Sequence, residues 1–321
     1  MALTATRLGN GPVIHSALHP SLGENINGPS VVRVSKWVTK PLGKFYLYFA
    51  HHEGTHIRMA YADNLTGPWT IYAPGVLDVS QSLFVASDPP QPPRSQWPDW
   101  VPEHSDRYLY AHIASPDVHL DHDGRRFRMY FHGLLENGDQ QTRIAYSTDG
   151  LNFTPRPELL GPPYFRVFSH KNWIYAISWA GELHRSRSWE GPFEDGPDFL
   201  SGHPMVGHNQ ILRHSAVLCR NDRLDLFFSR IGDCPEHILH SRVKLSENWN
   251  EWQVEPPKVL LMPREDWEGG NLPAKNSVTG AANGRENAMR DPYIFSHAGE
   301  YNLFYCGGGE SCIGLAQLTG F

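Results

Sequence analysis

The stretch ASPDVHLDHDGRRFRMYFHG, residues 114–133, contains the repeating unit that decides the fold. Two short apolar strands flank a charged turn, and the Asp-Gly pair at 123–124 predicts a β-hairpin between them. Asp117 opens the first strand, although Val118 and Leu120 that follow it are apolar. We therefore expect Asp117 to lie at the rim of a strand whose later residues pack in a core.

The same unit recurs five times along the chain. Each copy has a short strand with a polar opening, then an aromatic-rich strand, then a strand that leads into a turn. The aromatic-rich strands are FYLYFAHH (45–52), FRMYFHG (127–133), WIYAISWAG (173–181), LDLFFSRIG (224–232) and YNLFYCGGG (301–309). Five such units with no helical period between them predict an all-β fold, a single-domain five-bladed β-propeller over residues 1–321.

The boundaries of the predicted blades follow the repeat. They are approximately residues 27–72, 112–156, 163–199, 212–256 and 289–318. The last blade ends with the chain, so we expect a strand near residues 11–16 to close the ring against it. Long insertions at 73–111 and 257–288 interrupt the repeat, and loops of that length in a compact fold commonly form functional rims or lids.

The composition fits this architecture and excludes several classes of partner. Charged residues make up 19% of the 321 residues, and 29 Gly with 26 Pro favour short strands joined by turns. The net charge of −6 provides no general basic surface for nucleic acid or anionic lipid. We therefore expect no nucleic-acid partner and no membrane partner, whereas the oligomeric state stays open.

The cysteines and the first residues bear on the cellular location. Cys219, Cys234, Cys306 and Cys312 lack CxxC spacing and the density of a disulfide scaffold, so we expect free thiols. The first twenty residues lack an apolar leader segment, and no apolar run of about 18 residues occurs. The sequence predicts a soluble, cytoplasmic protein, although a secreted or periplasmic protein without its leader would look the same.

Polar residues at the openings of the five first strands meet at one mouth of a propeller channel, which predicts a concave, charged pocket. These residues are Asn27, Ser30, Asp117, His119, Tyr164, Arg166, Arg213, His214, Arg290 and Asp291. The ends of the second strands add His51, His52, His132, Trp179, Arg230, Asp233 and Glu310. For any one of them, an ion pair or hydrogen bond that ties two blades together is an equally good interpretation.

Metal binding and sugar stacking are two further uses of these side chains. The chain has 18 His, and several of His112, His119, His132 and His214 could hold a metal ion, but no HExxH or comparable ligand spacing occurs. We therefore expect no cofactor.

Aromatic rings stack on the C–H faces of sugars, and the candidates are Trp97, Trp100, Trp179 and Trp267.

The segments SPDVHLDHDGRRFRMYFHG, IRMAYADNLTGPW and RDPYIF, taken in order, resemble those of five-bladed glycoside hydrolases, the group that includes families 43 and 117. The resemblance covers nearly the whole chain. It implies an Asp base in blade one, an Asp in blade two that tunes pKa, and a Glu acid in blade three. Asp117 matches the second of these, but Gly28 occupies the place of the base, and the third blade opens on Tyr164 without a Glu. Asp291 in blade five supplies another carboxylate at the rim.

The leading hypothesis is a glycoside hydrolase that trims an oligosaccharide or polysaccharide from its end. Asp117 and Asp291 would form the acid/base pair, with His214 as a third catalytic candidate. The carboxylates held in reserve are Glu24, Glu286, Glu310 and Asp233. The substrate-binding candidates are Asn27, His51, His119, His132, Tyr164, Arg166, Trp179, Arg213, Arg230, Arg290 and Glu310. The arginines among them favour an acidic sugar, a uronate or a sulfated one.

Two other functions fit the same residues. A polysaccharide lyase would use His119, His132 or His214 together with Tyr164 to remove the proton next to a uronate carboxylate, which Arg166 or Arg213 would neutralise. A sugar-binding propeller without catalysis fits Gly28 and the missing Glu of blade three. The density of ionisable groups at the mouth favours an enzyme.

Overall fold

Five antiparallel sheets, arranged as blades around a central axis, form the structure. The computed structural model describes residues 3–99, 101, 105–197, 200 and 211–321. Each sheet takes its strands from one continuous stretch of sequence, except that the fifth sheet also includes strands from the N-terminus. This arrangement confirms the predicted all-β, five-bladed β-propeller.

The strands follow the repeat, with the strand nearest the axis first in each blade. The N-terminus contributes β1 (Thr4–Arg7) and β2 (Ile14–His15). Blade one contains β3 (Asn27–Arg33), β4 (Phe45–Ala50), β5 (His56–Ala62) and β6 (Thr70–Asp78). Blade two contains β7 (Ile113–Asp121), β8 (Arg126–Leu134), β9 (Gln140–Ser147) and β10 (Thr154–Pro155). Blade three contains β11 (Arg166–His170), β12 (Trp173–Ile177), β13 (Leu183–Ser186) and β14 (Glu194–Asp195).

The last two blades complete the ring. Blade four contains β15 (Ile211–Arg220), β16 (Arg223–Ile231), β17 (Ile238–Lys244), β18 (Gln253–Val254) and β19 (Lys258–Leu261). Blade five contains β20 (Arg290–His297), β21 (Glu300–Gly307) and β22 (Cys312–Thr319). Both β1 and β2 pair with β22, so strands from the two ends of the chain share one sheet.

The aromatic-rich second strands form the core because they are buried on both faces. Every residue of β4 is buried, as are eight of the nine residues of β8 and six of the eight residues of β21. Aromatic and β-branched residues suit such doubly covered strands. Five apolar clusters result, each lying between two neighbouring blades. The propeller is therefore stabilised blade against blade rather than by one central core.

The two insertions are shorter than the sequence predicted, because strands extend into them. β6 continues to Asp78 within the first insertion, and β19 lies within the second. Residues 198–199, at the end of the predicted third blade, and Trp100 in the first insertion lie outside the described residues.

The helices of the described residues are short 3-10 turns. They are Ser16–Leu18, Pro20–Leu22, Val79–Gln81, Arg94–Gln96, Trp179–Gly181, Trp249–Glu251 and Asp266–Glu268. None of them has the length and apolar character that crossing a bilayer would require.

Truncating Ile14 tests how much the closure of the ring contributes to stability. Ile14 is fully buried and pairs with Ile313 of β22. We expect Ile14→Ala to lower the free energy of unfolding by about 2–5 kcal/mol, through lost burial and the cavity left behind. Urea unfolding measures this change. Leu159→Ala, at a position that is 46% exposed, is the control and should change stability by less than about 1 kcal/mol. Equal effects of the two substitutions would contradict closure by β2.

Candidate active site

The openings of the first strands bend toward the channel because their backbones leave regular β geometry. Gly28, Ser115, Tyr164 and Asp291 have positive φ angles of 61°, 50°, 69° and 50°. Left-handed backbone is costly for residues other than glycine and occurs mainly where the surrounding structure imposes it, often at functional sites. The same bend in four blades brings these side chains to one mouth.

Asp291 is the carboxylate at the opening of blade five. It is fully buried, and its Oδ1 shares a hydrogen bond with Nδ1 of His214 from blade four. Its Oδ2 accepts from the backbone N–H of Gly28 at 3.3 Å and from the thiol of Cys306 at 3.6 Å. A carboxyl group from blade five therefore lies against the backbone of Gly28 in blade one.

His214 and its neighbours form a row of tilted, contacting rings across the mouth. The ring of Tyr164 lies 4.1 Å from that of His214 and 4.3 Å from that of His132. Burial, with the guanidiniums of Arg213 and Arg166, holds the pKa of His214 well below its usual range. Burial likewise raises the pKa of Tyr164 and holds that of His132 far below its usual range. At neutral pH all three rings are therefore uncharged.

Glu310 is the second carboxylate of the mouth and follows β21 in a glycine-rich turn. It accepts a 2.5 Å hydrogen bond from Nδ2 of Asn25, and it lies 3.4 Å from Nδ1 of His52 and 3.5 Å from Nη1 of Arg290. Burial alone would raise the pKa of Glu310, but His52, Arg290 and Asn25 hold it well below its usual range. Glu310 is therefore ionised at neutral pH.

Glu236 is a buried residue of this site that the sequence pattern did not reveal. It is fully buried and binds Nε of Arg213 at 2.9 Å and Nη2 of Arg290 at 2.8 Å. It lies in the connection between β16 and β17, where no repeated motif marks it. The same two arginines appeared among the predicted substrate-binding residues, and their charge already has an internal partner.

A cavity of about 240 Å³ opens beside Glu310, between blades one and five. Its walls are Glu24, Asn25, His51, Glu53, Ala281, Ala282, Gly284 and Glu310. Arg107 from the first insertion ties Glu53 to Asp88 at 2.6 Å each, and residues 281–284 belong to the second insertion. The second insertion therefore lines this cavity, and the first insertion contacts its wall through Arg107 and Glu53.

The position of Asp117 differs from the expected one. Its carboxylate accepts from Nε2 of His119 at 2.9 Å and from the backbone N–H of Val167 at 2.8 Å. Burial raises the pKa of Asp117, but His119 and Arg166 bring it below its usual range. Asp117 and His119 lie further along β7, toward its hairpin, and tie blade two to blade three. The structure does not pair Asp117 with Asp291.

Hairpin length explains this difference. Asp117, His214 and Asp291 each precede an aromatic pair by 13 residues, which suggested equivalent positions. In the structure Asp117 pairs with Tyr130, whereas the residue paired with Phe304 is Tyr293, two residues after Asp291. The loop between Asp121 and Arg126 is two residues longer than the one between His297 and Glu300, and equal spacing in sequence therefore gives unequal depth in the strand.

The arginines predicted to bind an acidic sugar bind acceptors of the chain itself. Arg166 donates to the carbonyls of Ser215 and Pro116 at 3.1 and 3.0 Å. Arg213 donates to Glu236 and to the carbonyls of Val278 and Gly280. Arg230 pairs with Asp233, and Arg290 with Glu236, Glu286 and Glu310. Their internal partners favour the structural interpretation of these residues.

The remaining candidates divide between the mouth and the body of the fold. Asn27 lies 3.5 Å from Asn25, which holds Glu310, and His51 lines the cavity. Trp179 is half-buried next to the opening of blade three, where its backbone N–H donates to the carbonyl of Pro163. Trp267 stacks on Tyr305, and the ring of Trp97 is covered by Arg94. Within the residues that the structure covers, no three His, Cys, Asp or Glu side chains are arranged to bind a metal ion.

Comparison with known proteins shows one close relative in sequence. The chain is 37% identical over 314 residues to "Uncharacterized protein R118" of Acanthamoeba polyphaga mimivirus, a match that covers 92% of this chain and 83% of that protein. The chain belongs to the family of this mimivirus protein. No protein-family model matches the chain.

Solved structures similar to this family member are five-bladed enzymes. A family 43 β-xylosidase/α-arabinofuranosidase from a compost metagenome, in complex with xylotriose, has a TM-score of 0.60 and 14% identity, over 99% of this chain and 96% of that one. An exo-1,5-α-L-arabinanase from a bovine ruminal metagenomic library has a TM-score of 0.53 and 11% identity, over 91% and 93%. At such identities the likeness shows the shared propeller fold.

The ionised state of Glu310 gives a pH-dependent prediction. Because its pKa in the folded protein is depressed below the reference value of 4.5, its stabilising effect is complete above that pH and disappears as the pH falls toward the folded value. At pH 7 we expect Glu310→Gln to cost about 3 kcal/mol by leaving Arg290 undercompensated. Chemical unfolding of both proteins between pH 7 and pH 3 measures this difference. The control is Glu24→Gln, at an exposed carboxyl of the same cavity, which should not show this pH-dependent loss of stability. A stability difference between Glu310→Gln and the wild type that stays constant from pH 7 to pH 3 would contradict the assignment.

Proposed function

We propose that this protein is a glycoside hydrolase that removes a neutral sugar from the end of an oligosaccharide, with its reaction centre at the propeller mouth. The observation that carries the proposal is the placement of two buried carboxyl groups, those of Glu310 and Asp291, at the same mouth. Glu310 is ionised at the cavity, and Asp291 is hydrogen-bonded to a neutral imidazole. Glycoside hydrolysis needs one group that activates water and one that donates a proton.

Glu310 takes the role of the base. Its lowered pKa keeps it ionised, and it lines the cavity in which a water and a sugar ring can meet. A cavity of about 240 Å³ lies below the range of about 300–1,000 Å³ that is usual for drug-sized ligands. This size suits a single terminal sugar unit rather than a chain that passes through the site.

The Asp291–His214 pair takes the role of the acid. In this proposal Asp291 begins the step as a neutral carboxylic acid. Nε2–H of His214 delivers a proton to the leaving oxygen while Asp291 passes its own proton to Nδ1, so the imidazole stays neutral and Asp291 becomes a carboxylate. Glu310 takes the proton of the attacking water. This relay is consistent with the strongly lowered pKa of His214, which disfavours a free imidazolium. Tyr164 packs against the imidazole and holds the ring in place.

The charge of the cavity supports a neutral substrate over an acidic one. Three carboxylates, those of Glu24, Glu53 and Glu310, line it, and its described lining contains neither Lys nor Arg. A uronate or sulfate there would meet like charge. The lyase mechanism has less support for the same reason, because it requires a cation that is available to neutralise a uronate.

Substitution of the two carboxylates tests the assignment. After a screen of xylo-, arabino- and galacto-oligosaccharides has identified a substrate, we expect Asp291→Asn and Glu310→Gln to lower kcat by about 10²–10⁴-fold each. Asp117→Asn should lower stability but leave kcat within about threefold in the folded protein, because it acts between blades. Loss of turnover in Asp117→Asn alone would contradict the assignment.

A sugar-binding propeller without catalysis is the second candidate. The observation in its favour is that Asp291 and Glu310 are almost inaccessible, at 0% and 1% exposure, and have internal partners. Calorimetry with the same oligosaccharides separates the two functions. A binder would show saturable heat with no product by mass spectrometry, both before and after substitution. A hydrolase would release products whose summed mass exceeds that of the substrate by one water.

A further inference from the structure

A strip of basic side chains covers the face of blade four that is turned toward blade five. Directly opposite residues on neighbouring antiparallel strands share a face of the sheet. The strand register places Arg220 opposite Arg223, Arg223 opposite Lys244, and His240 opposite Lys258, so each pair shares a face. Arg242 lies on the same face, opposite Asp225. The strip lies on β15, β16, β17 and β19, away from the mouth residues described above.

The charges of this strip are not balanced within the sheet. The strip contains five cations, Arg220, Arg223, Arg242, Lys244 and Lys258, and one buried carboxylate, Asp225. Like charges directly opposite each other destabilise a sheet. The excess is notable in a chain whose net charge is −6.

Asp225 is the common partner of the strip. It lies 2.7 Å from Nη2 of Arg220, 2.9 Å from Nε2 of His240, 3.3 Å from Nε of Arg223 and 3.5 Å from Nε of Arg242. Burial raises the pKa of Asp225, but its hydrogen bonds to His240 and Arg220 bring it down to about 2. One carboxylate is therefore shared among three guanidiniums and an imidazole.

The guanidinium groups of the strip are only partly covered by the protein. The side chains of Arg220, Arg223 and Arg242 are 24%, 38% and 29% exposed, whereas Asp225 is fully buried beneath them. A guanidinium has five N–H donors, so one carboxylate leaves donors of all three available on the exposed side. An anion with several oxygens suits these donors.

A cavity of about 390 Å³ adjoins the strip and provides space for that anion. His240, Ser241, Arg242 and Lys258 are among its walls, together with the carboxylate residue Glu255. Guanidinium groups match the oxygens of phosphate and sulfate in geometry as well as in charge. We propose that this cavity binds an oxyanion of the phosphate or sulfate type, either free or carried on a sugar, through Arg242, Lys258 and His240.

The test is calorimetric titration at pH 7 and constant ionic strength, with sodium phosphate, sodium sulfate and glucose 6-phosphate as ligands and glucose as the neutral comparison. We expect saturable binding of the anions and none of glucose. Arg242→Gln/Lys258→Gln should weaken anion binding by about tenfold or more. Lys40→Gln/Arg125→Gln removes the same charge from exposed positions of blades one and two and should leave the affinity within about twofold.

Lys258→Gln alone guards against a folding defect, because Lys258 is exposed and contributes no contact to Asp225. It should keep the thermal midpoint of the wild type and still weaken anion binding several-fold. Tighter binding of glucose 6-phosphate than of inorganic phosphate would identify a sugar-borne group, and equal binding would identify the free anion. Absence of saturable binding to the wild type, or equal weakening in the charge-matched control, would overturn the proposal.

Discussion

The buried guanidinium of Arg290 is the charge around which the mouth of this propeller is organised. It is 1% exposed and lies at the first position of β20, where water cannot solvate it. A buried charge is tolerated only with close counter-charges, and Arg290 has Glu236, Glu286 and Glu310 within 3.5 Å. The position of Glu310, and with it the electrostatics of the cavity, follows from this requirement.

Asp291, the next residue, depends on the same geometry. Its left-handed backbone turns its carboxylate across the channel, where it meets the imidazole of His214 and the backbone of Gly28. A side chain at Gly28 would approach Ser115 to 3.2 Å, and the glycine therefore also permits blades one and two to approach closely at the rim. Blade five thus places a carboxyl group against the rim of blade one.

The fold could be predicted from the sequence because each blade is a local unit, whose hairpins and aromatic strands recur in order. Several residues of the mouth could also be predicted from the sequence, because they open the first strands of their blades. They are Tyr164, His214, Arg290 and Asp291. The position of Asp117 along β7 could not be predicted. The longer hairpin of blade two shifts the strand register by two residues, although Asp117 and Asp291 lie equally far in sequence from the next aromatic pair. The acceptors of the arginines were hidden as well, since many are backbone carbonyls in loops, such as Val278 and Gly280.

Contacts between distant segments were the hardest part of the site to predict. Asn25 and Glu310 are 285 residues apart, and they meet only because the ring closes between blades one and five. Glu236 lies outside every repeated motif and gains its importance solely from the two arginines around it. Such pairings depend on the closed ring and cannot be read from any one blade.

A crystal structure of the Asp291→Asn variant with a bound neutral oligosaccharide tests the central claim most directly. The account predicts a terminal sugar in the cavity beside Glu310, with the glycosidic oxygen within about 3.2 Å of Nε2 of His214. A sugar bound in another cavity, or a glycosidic oxygen placed next to Asp117 instead, would contradict it.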